Sequence, residues 1–479
     1  MTQSTSGRAF PILISVFFFW GFVAASNDIL IPVFKTKLNL EQWQVQMISF
    51  AFYVAYTVGS LIYFFISKAR GEDLLNKIGY KNGIALGLTI SAIGTLLFIP
   101  AANTASFPIM ISGLFIVGLG FSLQQTAANP LAINMGDPAK GSQRLSLAGG
   151  INNIGTTIGP VLLSLAIFGS VKAGEKTQEA DISSIQIPYL ILGAAFLVVA
   201  VIFKFSSVPD KIQQVEKTES QTKELFKSAI HYPQLWMGMI AIFVYVGVEV
   251  STAGNLSDFL NKKAGIETDK VAPFVSLFWA SLMIGRWTSA ASVFTSEKTK
   301  QRILGILLPY LAFGLFLLIN YLVGFSIEPF KYFPLVILVM IIADFFSYGN
   351  PSRQLFIFSL MGILALFIGM LSTNPMVSAY AFISVGLFCS TLWPCIFTLA
   401  ISGLGRHTNE GSGFLIMMIM GGGVISLLQG YLSDENLLGI QWSYLVGVFC
   451  FLYLAFYAVK AKTILRSQGV KEFESKPSH

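Results

Sequence analysis

Charge is what this sequence lacks. Only 11% of its 479 residues are Asp, Glu, Lys or Arg, against roughly 25% in soluble chains. A soluble domain has too few charged groups here to cover its surface, so that class is excluded first. Cysteine is scarce as well. The three present, Cys389, Cys395 and Cys450, fall in apolar stretches without metal-ligand spacing, so neither a disulfide framework nor a thiolate metal site is expected. Of the three histidines, His231 and His407 flank apolar segments and His479 is the last residue, which argues against a buried histidine proton relay. There is no Gly-Lys-Ser/Thr phosphate loop for ATP drive. No nucleophile stands with its partners, no metal cluster is visible, and no cofactor is implied, so an enzyme is not expected. The net charge of +7 reads as loop lysines that fix topology rather than as a nucleic-acid surface.

What is abundant is apolar. The chain is 54% hydrophobic, with 42 Phe and 43 Gly, and its mean hydropathy is +0.69. A bilayer span takes about 20 mostly apolar residues. Such segments run near 10–33, 44–67, 82–100, 107–134, 144–171 and 186–207. A Lys/Glu/Gln-rich linker follows at 208–230, and further segments lie near 235–260, 272–295, 303–325, 332–348, 353–372, 377–403, 411–433 and 440–461. The expected fold is an all-α polytopic membrane protein with about fourteen transmembrane helices. Arg8, an apolar run and Ala24-Ala25-Ser26 imitate a signal peptide, but the run continues through Asp28 to Phe34. With a cytoplasmic N-terminus, about 22 of the Lys/Arg residues fall inside and about 8 outside. Both termini are then cytoplasmic, in a plasma (bacterial inner) membrane.

Two halves repeat. Phe52-Tyr-Val-Ala-Tyr-Thr-Val-Gly59 aligns with Phe278-Trp-Ala-Ser-Leu-Met-Ile-Gly285, and Gly21 with Gly247, at an offset of 226. Gly118, Ser122 and Leu131-Ala-Ile133 align with Gly386, Ser390 and Leu399-Ala-Ile401 at an offset of 268. The offset grows by 42 residues, the length of two helices. The economical reading is two six-helix halves, 1–207 and 231–479, with a two-helix hairpin inserted at about 302–348. That is the architecture of the major facilitator transporters, whose substrate site lies near the midplane.

Polar residues inside apolar segments carry the chemistry. A carboxylate at the bilayer centre costs about 2.5–3.5 kcal/mol on insertion scales, so Asp28 in Trp20-Gly-Phe-Val-Ala-Ala-Ser-Asn-Asp28 and Glu249 in Tyr245-Val-Gly-Val-Glu249 each need a reason. A desolvated carboxyl can exchange a proton near neutrality, and an ionised one beside Ser251 and Thr252 can hold sodium. Both are candidates for coupling to H+ or Na+; the plain alternative for Asp28 is snorkelling to the helix end. Arg286 is a candidate gate partner or reaches the cytoplasmic interface. The amides of Asn27, Gln124, Gln125, Asn129, Asn152 and Asn153 donate and accept, as polyol hydroxyls require. They could equally bond helix to helix. Trp393 could stack on a sugar face or simply pack. Asp344, near the cytoplasmic end of the hairpin, is expected to snorkel.

These residues resemble the fucose permease branch of the major facilitator superfamily, with its glucose/galactose transporter relatives. The likeness rests on Ser26-Asn-Asp-Ile-Leu-Ile-Pro32, Gln125-Thr-Ala-Ala-Asn-Pro130, Arg144-Leu145, Asn152, Tyr245-Val-Gly247, Ile284-Gly-Arg286, Pro394-Cys-Ile-Phe397, Gly421-Gly-Gly423 and Ser433-Asp434. It implies proton-coupled uptake of a monosaccharide by alternating access. Asp28 matches the family's first-helix aspartate and Asn152 a sugar-contacting asparagine. Gln125 stands where fucose permease has a glutamate, Gly149 where it has a glutamine, and Glu249 where it has a glutamine. The expected partners are a small sugar and the lipid bilayer, with no nucleic acid, and the chain is read as monomeric. The rivals are an uncoupled facilitator or an exporter of another polar solute, and a transport-dead sugar sensor. The linker is too short to be a sensor's output domain.

Overall fold

The computed structural model describes residues 9–23, 42–168, 186–210, 228–267, 270–295 and 297–470. Asn27, Asp28 and most of the linker lie outside them. All regular structure in the described residues is helical. The long helices are α1 (Ala9–Val23), α2 (Gln42–Arg70), α3 (Tyr80–Leu96), α4 (Phe107–Asn134), α5 (Gly141–Phe168) and α6 (Gln186–Lys204). After the linker come α7 (Pro233–Lys262), α8 (Ala272–Phe294), α9 (Lys298–Val323), α10 (Phe333–Ser347) and α11 (Pro351–Leu371). The last are α12 (Pro375–Cys389), α13 (Leu392–Ile401), α14 (Thr408–Met417), α15 (Gly421–Leu432) and α16 (Leu445–Ser467). Among the described residues, eleven segments are long and apolar enough to cross a membrane.

Local chemistry sets the helix starts. Proline sits in the first turn of α4, α7, α8, α10, α11 and α12, where its missing N–H costs nothing. Asn350 and Asn374 cap α11 and α12 through their side-chain oxygens, which accept from the N–H groups of Arg353 at 3.0 Å and Met376 at 2.9 Å. Pro394 marks the start of α13 after a break at Ser390-Thr391.

Contacts divide the chain into two compact units. The first holds Met1–Gly136, Ile154–Ala229 and Leu404–Met420. In it α4 packs on α2 and α3, and α3 on α6. The second holds Asp137–Asn153, Ile230–Gly403 and Gly421–His479. In it α12 packs on α8 and α11, and α11 on α16. The pairing order is the same once α9 and α10 are set aside; α9 lies along α8, and α10 packs on α11, α8 and α12.

The repeat extends to atoms. A Cβ on Gly59 would lie 2.7 Å from Ser122 Cβ, and one on Gly285 would lie 2.0 Å from Ser390 Oγ. Gly118 faces Ala55 and Gly386 faces the carbonyl of Phe278. Glycine is needed at these points because helices without a hydrophobic drive between them associate by close packing. The two offsets seen in the sequence therefore meet at one helix crossing in each unit.

Candidate functional site

In the first unit the polar residues of α4 take different roles. Gln124 is fully buried; its oxygen accepts from the Trp20 indole N–H and its nitrogen donates to Ser91 Oγ at 2.9 Å. That one amide ties α1, α3 and α4 together. Gln125, one residue on and half-buried, donates to Tyr56 Oη at 2.8 Å. Asn129 is 2% exposed, and its Nδ2 has no partner among the described residues. Near the end of α2, Asp73 accepts from Tyr63 Oη at 2.6 Å, from the N–H groups of Leu75 and Asn76, and from Asn409 Nδ2 at 3.1 Å. Asn409 also accepts from the Tyr80 hydroxyl. Ser412 of α14 donates to the Thr126 carbonyl at 2.8 Å. Asp73 escaped sequence reasoning because a lone loop acid looks solvated. The signal available was the pair of tyrosines around it.

In the second unit Arg286 is the centre. Its Nε donates to the Ser390 carbonyl at 3.0 Å, and its Nη1 donates to Asn153 Oδ1 at 2.7 Å and to the Gly149 carbonyl at 3.2 Å. Arg286 and Glu249 form no ion pair within 4.0 Å, though Arg286 lies within electrostatic reach of Glu249. Glu249 instead accepts from the Tyr245 hydroxyl, one turn earlier on α7. The Tyr245 ring lies 6.2 Å from that of Trp393, which lies 5.8 Å from Phe397. Asn152 is half-buried beside buried Asn153. Tyr245 was missed, although its spacing of four from Glu249 on a helix places the two on one face.

Asp344 corrects an expectation. It does not snorkel: its Oδ1 accepts from Gln354 Nε2 at 2.6 Å, and Gln354 is 1% exposed. The Asp344 carboxyl turns inward because an amide donor is available there and not at the lipid face. Among the described residues, no group of three or more His, Cys, Asp or Glu could hold a metal.

The fold and these sites define an all-helical polytopic membrane protein whose core repeats once and whose intramembrane polar groups are linked mainly by uncharged donors and acceptors. The sequence profile of the Major Facilitator Superfamily matches residues 9–352. The chain belongs to that superfamily, within its fucose permease and glucose/galactose transporter branch. It is accordingly a transporter and not an enzyme. It is 34% identical over 460 residues to the glucose/galactose transporter of Brucella abortus, covering 96% of this chain and 95% of that one. It is 27% identical to the L-fucose-proton symporter of Escherichia coli, over 94% of this chain and 92% of that one. Its fold matches the crystal structure of the transporter FucP in the outward conformation with a TM-score of 0.70 at 23% identity, covering 95% of this chain and 99% of that one.

Proposed function

We propose that this protein imports a monosaccharide of the fucose, glucose or galactose type by cation-coupled symport with alternating access. The observation that carries the reading is the 34% identity to a glucose/galactose transporter along 96% of the chain. The name of the more distant L-fucose-proton symporter favours H+ over Na+ as the coupling ion. Asp28 and Glu249 are the coupling candidates, and the hydroxyl of Tyr245 marks Glu249 as a group that can exchange a proton within a hydrogen bond. Asn27, Gln125, Asn129, Asn152 and Trp393 are the sugar-contact candidates. Gln124 and Asn153 are candidates as well; each, like Gln125, is also engaged with another helix. Arg286 is the gate residue: transport breaks its bonds to the fifth helix.

In the same reading the chain has fourteen transmembrane helices. They are two six-helix halves, 1–207 and 231–479, joined by the linker at 208–230, with α9 and α10 as the inserted hairpin. The protein is a monomer in the inner membrane with both termini in the cytoplasm. The recurrence of the first unit's helix pairing in the second, once α9 and α10 are set aside, supports the insertion.

Uptake into proteoliposomes, with a panel of monosaccharides under separate proton and sodium gradients, tests the reading. One hexose or deoxyhexose is expected to accumulate under the proton gradient. Glu249→Gln, whose amide oxygen can still accept from Tyr245, is expected to lose accumulation and keep sugar exchange. No uptake of any sugar under either gradient would sink the proposal. Accumulation that survives both Asp28→Asn and Glu249→Gln would remove the coupling assignment.

A further inference from the structure

Asp344 is the one acid on the hairpin's second helix, and it is bonded to the residue best placed to pass a signal inward. Gln354, on α11, donates through Nε2 to Asp344 Oδ1 at 2.6 Å and to Ser289 Oγ on α8 at 3.2 Å. Its Oε1 accepts from Cys395 Sγ on α13 at 3.4 Å. One buried amide thus joins the hairpin to three helices. Ser289 lies one turn from Arg286 on α8, and Cys395 two residues from Trp393 on α13.

The two ends of that amide are not interchangeable, and Asp344 is what distinguishes them. A serine hydroxyl donates or accepts, and a thiol does either weakly. Neither fixes which end of the glutamine faces which neighbour. An ionised carboxylate only accepts, so it holds Nε2 toward the hairpin. A protonated carboxyl can also donate, and then the amide can present Oε1 to Asp344 and turn its nitrogen toward Cys395. The charged groups on the packed elements do not compete for the carboxyl. Arg302 of α9 lies over the Phe345 ring at 5.6 Å and Arg353 of α11 over the Tyr348 ring at 5.2 Å. Arg286 of α8 is bonded as described, α12 contributes Tyr380 and Cys389, and α13 contributes the Cys395 thiol, reached through Gln354.

We propose that Asp344 is a proton-responsive positioning residue: its protonation state sets which end of the Gln354 amide faces the hairpin and, through Gln354, how α10 is joined to α8 and α13. The hairpin is thereby a tuning element on the helices that carry Arg286 and Trp393.

The test needs no substrate. In the full chain with Cys389→Ala and Cys450→Ala, alkylation of Cys395 by a membrane-permeant maleimide reports opening of this packing. The rate is compared with that of the same chain carrying Asp344→Asn, an isostere that cannot ionise, across a pH series. The reagent's own pH dependence cancels in the ratio, and what the Asp344 charge does directly to the thiol persists when Gln354 is replaced. The ratio is expected to approach unity as the pH falls and to depart from it as the pH rises. Gln354→Leu, placed in both backgrounds, removes the amide and leaves the direct effect of the charge, so it is expected to shrink that departure. A ratio constant across the series, or a departure untouched by Gln354→Leu, would overturn the proposal. Size-exclusion profiles check that each variant is folded. If Asp344→Asn is not, the ratio of Asp344→Glu to Asp344→Leu is read for its change with pH alone, and a constant ratio there overturns the proposal equally. Failure of sugar uptake would leave this result standing, so the two readings fail separately.

Discussion

The contact between Arg286 and Asn153 sets a magnitude that can be measured. Asn153→Ala deletes a 2.7 Å bond from a guanidinium in a buried setting. Hydrogen bonds to charged groups contribute about 1.5–3 kcal/mol net. The bonds of Arg286 to the carbonyls of Ser390 and Gly149 remain in that variant, so the guanidinium loses one bond and is not a stranded charge. Arg286→Gln removes the charge and all three. Comparing the single variants with the double variant by equilibrium unfolding in mixed SDS micelles isolates the pair. The expected coupling is about 1.5–3 kcal/mol, well above the roughly 0.3–0.5 kcal/mol within which independent sites add. In transport, weakening this bond is expected to favour the states that lack it, by about tenfold or more at 1.4 kcal/mol per decade. Additivity of the two substitutions would refute the assignment of Arg286 to Asn153, and with it the gate role built on that bond.

Other outcomes follow from single positions. Gly421→Ala is expected to destabilise the second unit by about 1–3 kcal/mol, because the new Cβ would lie 2.0 Å from the Phe243 carbonyl oxygen and backbone cannot step aside. The yield of folded protein and the SDS midpoint report it, and an unchanged midpoint contradicts it. At Asp73, burial raises the carboxyl above the ordinary aspartate value, opposed by its bonds from Tyr63, Asn76, Asn409 and Leu75. The folded state then holds this proton more readily than the unfolded one. Stability is expected to fall as pH rises from the unfolded aspartate value of about 3.9 to the raised folded value. Asp73→Asn should flatten that slope in a pH series of unfolding, and a slope unchanged in the variant would contradict the reasoning.

The sequence was most legible where a pattern repeats. Hydropathy and the two offsets anticipated the helices, and the glycines that align across the halves are those that meet Ser122 and Ser390. It was least legible where one neighbour decides. Gln124 and Gln125 are adjacent and chemically identical, yet the first is locked between Trp20 and Ser91 and the second reaches only Tyr56. A rotation of about 100° per residue on the helix separates those environments, and composition carries no record of the facing helix. Asp344 misled for the same reason: its position near a helix end suggested water, while the deciding donor comes from α11. Asp28, the most telling acid of the sequence reading, lies outside the described residues, so its role rests on the resemblance and on uptake by its variants.

The departure at position 149 has a physical meaning once Arg286 is in view. A Cβ there would lie 3.1 Å from Arg286 Nη1, 3.2 Å from Cδ and 3.3 Å from Cζ. The bare backbone is what lets the guanidinium come close to α5, where it donates to the carbonyl of residue 149 and to Asn153 one turn on. Glutamine, the residue that the fucose permease resemblance leads one to expect, would occupy that space with three further heavy atoms beyond Cβ and Cγ. Gly149→Ala asks the arginine side chain to move by a few tenths of an ångström, which a long flexible chain can do, so its effect on unfolding is expected to stay small. Gly149→Gln is expected to displace the guanidinium and forfeit the Asn153 bond, at about 1.5–3 kcal/mol. Asn153→Ala added to Gly149→Gln should then cost less than it does in the unaltered protein, by about that amount. If it instead costs as much as it does in the unaltered protein, the glycine is not what admits the arginine, and Gly149 and Arg286 are independent features of the chain.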